Sequence, residues 1–222
     1  MRETVITEIC RQKIIAIIRG ADEQQALAAA RALYEGGITL VEVTFNQKAP
    51  ETFVCTANAI RAIRDAMGDQ MLVGAGTVTS VELARMAADS GASYIISPDT
   101  DEAVIRETKQ LGLVSIPGAY TPTEAKRAYN AGADFVKLFP CVGDAPAYIK
   151  ALCGPLNHIP FLAVGGVNAD NAADFLKAGA VGIGVGSSLV NKKWLDSGQY
   201  SEITEEAKRF VANISKIGRA HV

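Results

Sequence analysis

Short apolar runs alternate with longer amphipathic ones along the whole chain. Ile14–Ile18, Leu40–Phe45, Leu72–Gly74, Tyr94–Ser97, Val114–Ile116, Phe135–Phe139, Phe161–Val164 and Gly182–Val185 have the length and composition of strands buried on both faces. Between them apolar positions recur at helical spacing, over Glu23–Glu35, Glu51–Met67, Ser80–Ser90, Asp101–Leu111, Thr123–Asn130, Ala147–Leu152 and Ala169–Lys177. A last helix is expected over Ser201–Ser215. Start signals agree with these bounds: Thr79-Ser80 is followed by Glu82, Thr121-Pro122-Thr123 by Glu124, and Asn168 by Asp170. Glycine recurs where left-handed helix ends are wanted, as in Gly36-Gly37, Ser90-Gly91, Leu111-Gly112, Ala131-Gly132 and Ala178-Gly179.

Strict alternation of strand and helix implies parallel βαβ units with both faces of the sheet covered. Eight units in a chain of 222 residues predict a (β/α)8 TIM barrel, a single domain without an internal linker. A doubly wound open sheet is the rival, and it lacks its Gly-x-Gly-x-x-Gly signal after the first strand. Residues 1 to 12 read as a short helix capping the barrel bottom. The tail Gly218-Arg219-Ala220-His221-Val222 carries no helix signal and reads as frayed.

Composition narrows the partners. A formal net charge of −2 leaves no basic footprint for nucleic acid. No apolar stretch approaches the ~20 residues needed to cross a bilayer, so no membrane role is expected. Cys10, Cys55, Cys141 and Cys153 lack zinc-site spacing and suggest reduced thiols in the cytoplasm. With only two histidines, a His-centred triad is unpersuasive.

Two charged residues interrupt apolar strands. Lys137 lies within Phe135-Val136-Lys137-Leu138-Phe139 and Glu42 within Val41-Glu42-Val43. A buried ammonium loses its hydration and escapes by a depressed pKa, and the neutral amine is a nucleophile towards ketones. The competing readings are a lysine whose head snorkels into water and an acid paired structurally on the helix side. Both residues fall on even-numbered strands, which fill the same interior layers of a barrel, so the fold gives them a reason to meet. At the same C-terminal face lie Arg19, Thr77 and Pro98, and the glycines Gly165-Gly166 and Gly184-Val185-Gly186-Ser187, whose backbone N–H groups suit a phosphate. Those glycines also have a plain use in tight turns.

In that order, Ile15-Ala16-Ile17-Ile18-Arg19, Val41-Glu42-Val43-Thr44-Phe45, Gly74-Ala75-Gly76-Thr77-Val78, Ile96-Ser97-Pro98, Phe135 to Pro140 and Val164-Gly165-Gly166-Val167 form a specific series. From Ile14 to about Val211 the chain resembles the 2-keto-3-deoxy-6-phosphogluconate and 2-keto-4-hydroxyglutarate aldolases, small class I Schiff-base enzymes. The resemblance implies a (β/α)8 barrel, a homotrimer, Lys137 as the Schiff-base lysine and Glu42 as the proton-shuttling carboxylate. It implies pyruvate binding by Arg19 and Thr77, pocket walls at Phe139 and Pro98, and a phosphate end at Gly165, Gly166, Gly186 and Ser187. Neither metal nor cofactor is implied; the partner is a small-molecule substrate, a phosphorylated keto acid yielding pyruvate.

Two departures bear on the substrate. Many members carry an arginine just after the second strand, where this chain has Asn46, and many read Pro-Thr-Gly-Gly where this one reads Ala163-Val164-Gly165-Gly166. A relative acting on 2-keto-3-deoxy-6-phosphogalactonate has a similar Ala-Val-Gly-Gly, so the galactonate epimer is the alternative substrate. A barrel that isomerises or transfers phosphorylated metabolites, and a non-catalytic barrel that binds them, are the further alternatives.

Overall fold

The computed structural model describes residues 2–216; the terminal residues read above as a frayed tail lie outside the described residues. The elements are α1 (Arg2–Gln12), β1 (Ile14–Ile18), α2 (Glu23–Glu35), β2 (Leu40–Thr44), α3 (Phe53–Met67), β3 (Leu72–Gly76), α4 (Val81–Asp89), β4 (Tyr94–Ile96), α5 (Glu102–Gln110), β5 (Val114–Ile116), β6 (Gly118–Ala119), α6 (Pro122–Asn130), β7 (Val136–Leu138), α7 (Ala145–Cys153), β8 (Phe161–Val164), α8 (Ala172–Lys177), β9 (Gly182–Val185), α9 (Lys192–Ser197) and α10 (Tyr200–Ser215).

Every strand pair is parallel, in the order β5-β4-β3-β2-β1-β9-β8-β7-β6. β5 and β6 are two halves of one strand divided at Pro117, which has no N–H to give to a ladder. Its carbonyl still accepts from the Lys137 N–H at 2.8 Å, and those of Ser115 and Ala119 accept from Phe135 and Phe139. The ladder therefore continues round the break, and the sheet forms the expected eight-membered barrel in one domain.

Two apolar layers hold it. Inside, Ile15, Leu40, Tyr94, Ile96, Val114, Ile116, Phe135 and Leu162 pack with Val5 and Ile9 of α1. Outside, small residues bring helices close to the sheet: Ala26, Ala29, Ala30 and Leu33, spaced at i, i+3, i+4 and i+7, are fully buried on α2. At the N-terminal end of the strands, the buried carboxylate of Asp134 accepts from the Ser115 N–H at 2.9 Å, from Lys109 Nζ at 2.7 Å and from Arg2 of α1. Among the described residues, no helix is long and apolar enough to cross a membrane.

The expected helices shift at their starts for local reasons. Pro50 opens a single tight turn, Pro50–Thr52, so α3 begins at Phe53 rather than Glu51. The Asn168 side chain accepts from the Asp170 and Asn171 N–H groups, a turn in its own right that delays α8 to Ala172. Thr121 and Glu124 form the reciprocal cap that their spacing indicates. The helix α9, opened by Asn191, had no periodic signal at only six residues.

Candidate active site

Lys137 is the middle residue of β7 and is 6% exposed; Glu42 is the middle residue of β2 and is 2% exposed. Their outward neighbours, Val136 and Leu138, and Val41 and Val43, belong to the layer under the helices, so the alternation of the strand turns both charges inward. There they line one interior cavity with Ile15, Ile96, Ile116 and Leu162 among its apolar walls.

Two glycines of β3 make this possible. A Cβ on Gly76 would stand 2.5 Å from Glu42 Oε1, and one on Gly74 would stand 2.1 Å from the ring of Tyr94. The missing side chains are the spaces that the carboxylate and the phenol ring occupy. Tyr94 is fully buried, and its hydroxyl donates to the Val41 carbonyl at 2.5 Å, tying β4 to β2 beside Glu42. Burial, and secondarily the charge of Glu42, pushes the Tyr94 phenol well above its usual range.

Burial governs the electrostatics of the pair. It pushes the Lys137 amine below the ordinary lysine value of 10.5, opposed by Glu42 and assisted by Arg19. It pushes the Glu42 carboxyl above 4.5, opposed by Lys137 and Arg19. The two groups act on each other through space, coulombically, with no hydrogen bond shared between them. Lys137 Nζ also stands 4.7 Å from the centre of the Phe139 ring. An amine with a lowered pKa and a carboxyl with a raised one, facing one apolar chamber, have the chemistry for carbonyl addition and proton transfer.

The chamber opens into a cleft of about 550 Å³ at the C-terminal ends of β1, β8 and β9, sharing Ile17, Val164 and Gly184 with it. Six expected site residues line that cleft: Arg19, Phe139, Gly165, Gly166, Gly186 and Ser187. Gly165, at φ 108°, lies against Cys141, where a Cβ would come within 3.0 Å of the Cys141 nitrogen. Cys141 itself is a packing thiol, buried, with Sγ 3.3 Å from the Leu138 carbonyl.

Thr77 and Pro98 sit elsewhere. They follow β3 and β4 and line neither the chamber nor the cleft. Thr77 has φ 57° and its carbonyl accepts from Gln47 Nε2 at 2.9 Å, while Pro98 lies against Gly118, too close to leave room for a Cβ there. Asn46 is exposed and caps its own turn through the Lys48 N–H at 3.1 Å. The sequence reading missed Asn168, Ser188 and Lys192 on the cleft wall. Their signal was their proximity to the two glycine turns, which alone does not separate a wall from a neighbouring loop.

Comparison with known proteins identifies the family of the chain. The family model described as KDPG and KHG aldolase matches residues 5–206. The chain is 39% identical to the 2-dehydro-3-deoxy-6-phosphogalactonate aldolase of Escherichia coli K12 over 89% of this chain and 92% of that one. It is 33% identical to the 2-dehydro-3-deoxy-phosphogluconate aldolase of Treponema pallidum, over 90% and 93%. The crystal structure of KDPG aldolase from Legionella pneumophila, with pyruvate captured as a covalent carbinolamine, superposes with a TM-score of 0.81 at 25% identity, covering 91% of this chain and 96% of that one.

Proposed function

From the premise that this chain belongs to the KDPG and KHG aldolase family, and is a carbon–carbon lyase, we propose that it cleaves a 2-keto-3-deoxy-6-phospho sugar acid to pyruvate and an aldehyde through a Schiff base on Lys137. The observation that carries this reading is the buried amine of Lys137 facing the same chamber as Glu42. The pyruvate carbinolamine described for the Legionella structure is in keeping with it.

The neutral amine adds to the C2 ketone, and loss of water from the carbinolamine gives a protonated imine. Glu42, as carboxylate, takes the proton of the C4 hydroxyl, directly or through a water. The C3–C4 bond breaks, its electron pair passing into the iminium to give an enamine while C4 leaves as the aldehyde. The enamine is protonated at C3, and water hydrolyses the iminium to pyruvate and free Lys137. The iminium is the electron sink. Arg19 offers a fork of donors for a carboxylate, and Gly165, Gly166, Gly186 and Ser187 line the end of the cleft suited to phosphate.

The gluconate-derived substrate stands first on motifs alone, with 2-keto-4-hydroxyglutarate, which releases glyoxylate, beside it. Two observations favour the galactonate epimer: Val164, which offers no hydroxyl to the sugar chain at the junction of chamber and cleft, and the 39% against 33% identity to the two named relatives. Both phospho substrates release glyceraldehyde 3-phosphate. Comparative kinetics on the three keto acids tests the choice; a kcat/KM higher on the gluconate-derived acid removes the galactonate preference. Membership of a lyase family leaves the isomerase and sensor readings without support. A homotrimer and a cytoplasmic location go with this reading, and sedimentation should give three times the chain mass.

Borohydride added with pyruvate should leave a reduced adduct on Lys137, detected by peptide mass. An unmodified Lys137 under those conditions removes the Schiff base.

A further inference from the structure

The wall of the 550 Å³ cleft carries two cations and, among the described residues that line it, no carboxylate. Arg19 is one. The other, Lys192, belongs to no motif, stands at the first position of α9 and lines the same cleft as the glycine turns that follow β8 and β9.

Its backbone is fixed. The Leu189 and Val190 N–H groups both donate to the Gly186 carbonyl, at 2.9 and 2.8 Å, folding the chain from Gly186 towards Lys192 in one compact turn. Ser188 Oγ donates to the Val167 carbonyl at 2.6 Å and laces that turn to the one after β8. Asn191 takes the Lys193 N–H at 2.8 Å and starts α9 at Lys192.

The ammonium is only loosely engaged. Lys192 Nζ lies 2.9 Å from Asp196 Oδ1 one helical turn on, and the two side chains are 68% and 51% exposed. An exposed i,i+4 pair of this kind is weak and screened by salt. A phosphate dianion entering the cleft carries twice the charge of the carboxylate and offers more acceptor oxygens, so it competes well for the same ammonium.

We propose that Lys192 is a phosphate-recognising residue of the cleft, with Asp196 as its resting partner, and that exchange of the ammonium from Asp196 to the substrate selects phosphorylated over unphosphorylated keto acids. The proposal rests on the aldolase reading for its substrate and deepens it at the far end of the cleft. The lysine is surface-exposed, so its replacement leaves the core packing unchanged.

Inorganic phosphate titrated calorimetrically into the wild type, Lys192→Met and Asp196→Asn tests it. Lys192→Met should bind phosphate about tenfold more weakly, the size of one charge-assisted hydrogen bond, while Asp196→Asn binds at least as tightly as the wild type. In steady state, Lys192→Met should raise the ratio of KM for the phosphorylated keto acid to KM for 2-keto-4-hydroxyglutarate by about the same factor. Equal phosphate affinity in Lys192→Met and wild type overturns the role of Lys192, and weakening by Asp196→Asn as large as that by Lys192→Met overturns the role of Asp196. Exchange of the pyruvate methyl protons by the wild type reports the Lys137 chemistry separately. Its failure would strike the aldolase reading, while the phosphate titration still decides on Lys192.

Discussion

A lysine buried among isoleucines titrates according to its neighbours, and here two neighbours of opposite sign compete. The carboxylate of Glu42 holds the Lys137 amine up, and the guanidinium of Arg19 pushes it further down. Glu42→Gln removes the negative charge, so the amine should lose its proton at lower pH, and the pH at which borohydride trapping of pyruvate reaches half its maximum should fall. Arg19→Met removes the positive charge, and the same midpoint should rise. Midpoints moving together, or neither moving, would mean that Lys137 does not sense this pair. Turnover should respond differently from trapping: Glu42→Gln keeps the amine but loses the proposed base, and kcat for cleavage should drop by about 10²- to 10⁴-fold. Lys137 and Glu42 were both legible in the sequence, because a charge inside an apolar strand is an anomaly that needs a reason. Lys192 was not, because an exposed lysine at the start of a short helix looks like many others.

Among elements, β3 shows how two glycines shape a site through the side chains they leave out. Gly76→Ala would drive a methyl against the carboxylate of Glu42, the free end of a flexible side chain that can move aside. Stability should fall by no more than about 1 kcal/mol, whereas kcat should fall at least about tenfold because the proposed base is displaced. Gly74→Ala meets the rigid, fully buried ring of Tyr94 instead. Overpacking there should cost about 3 kcal/mol, read from urea unfolding, so the two substitutions should separate activity from stability. The Gly74-Ala75-Gly76-Thr77 run was visible as a motif, but which side chains would fill the vacated spaces depended on strand register. The division at Pro117 was open to a sequence reading, since proline cannot donate to a ladder; that the barrel still closes was not, because it needs the carbonyls of Ser115, Pro117 and Ala119 opposite β7.

For the whole molecule, Asp134 links α1 to the barrel. Burial alone would raise its pKa, but hydrogen bonds from Arg2, Lys109 and the Ser115 N–H outweigh that and hold it below the usual 3.8. A depressed carboxyl contributes stability above its unfolded pKa and loses it as pH falls through the folded one. Asp134→Asn should therefore cost about 2 to 3 kcal/mol at pH 7, less than a fully buried pair because Arg2 and Lys109 keep some contact with water. The difference from wild type should shrink as pH falls below about 4, which urea unfolding at pH 7 and at pH 3 would check; an undiminished difference at pH 3 would deny the carboxylate this part.

The sequence by itself determined the alternation of strands and helices, hence the barrel, and the two charges that do not belong in apolar strands, hence the candidate pair. Both are local properties, set by periodicity and by the cost of desolvating a charge. Tertiary structure alone decided which residues share a wall. It put Thr77 and Pro98 outside the chamber and the cleft, brought Lys192 to the rim, and opened at Gly74 and Gly76 the room that Tyr94 and Glu42 fill. Those outcomes depend on the stagger of neighbouring strands and the path of the loops after them, distances that no spacing along the chain encodes.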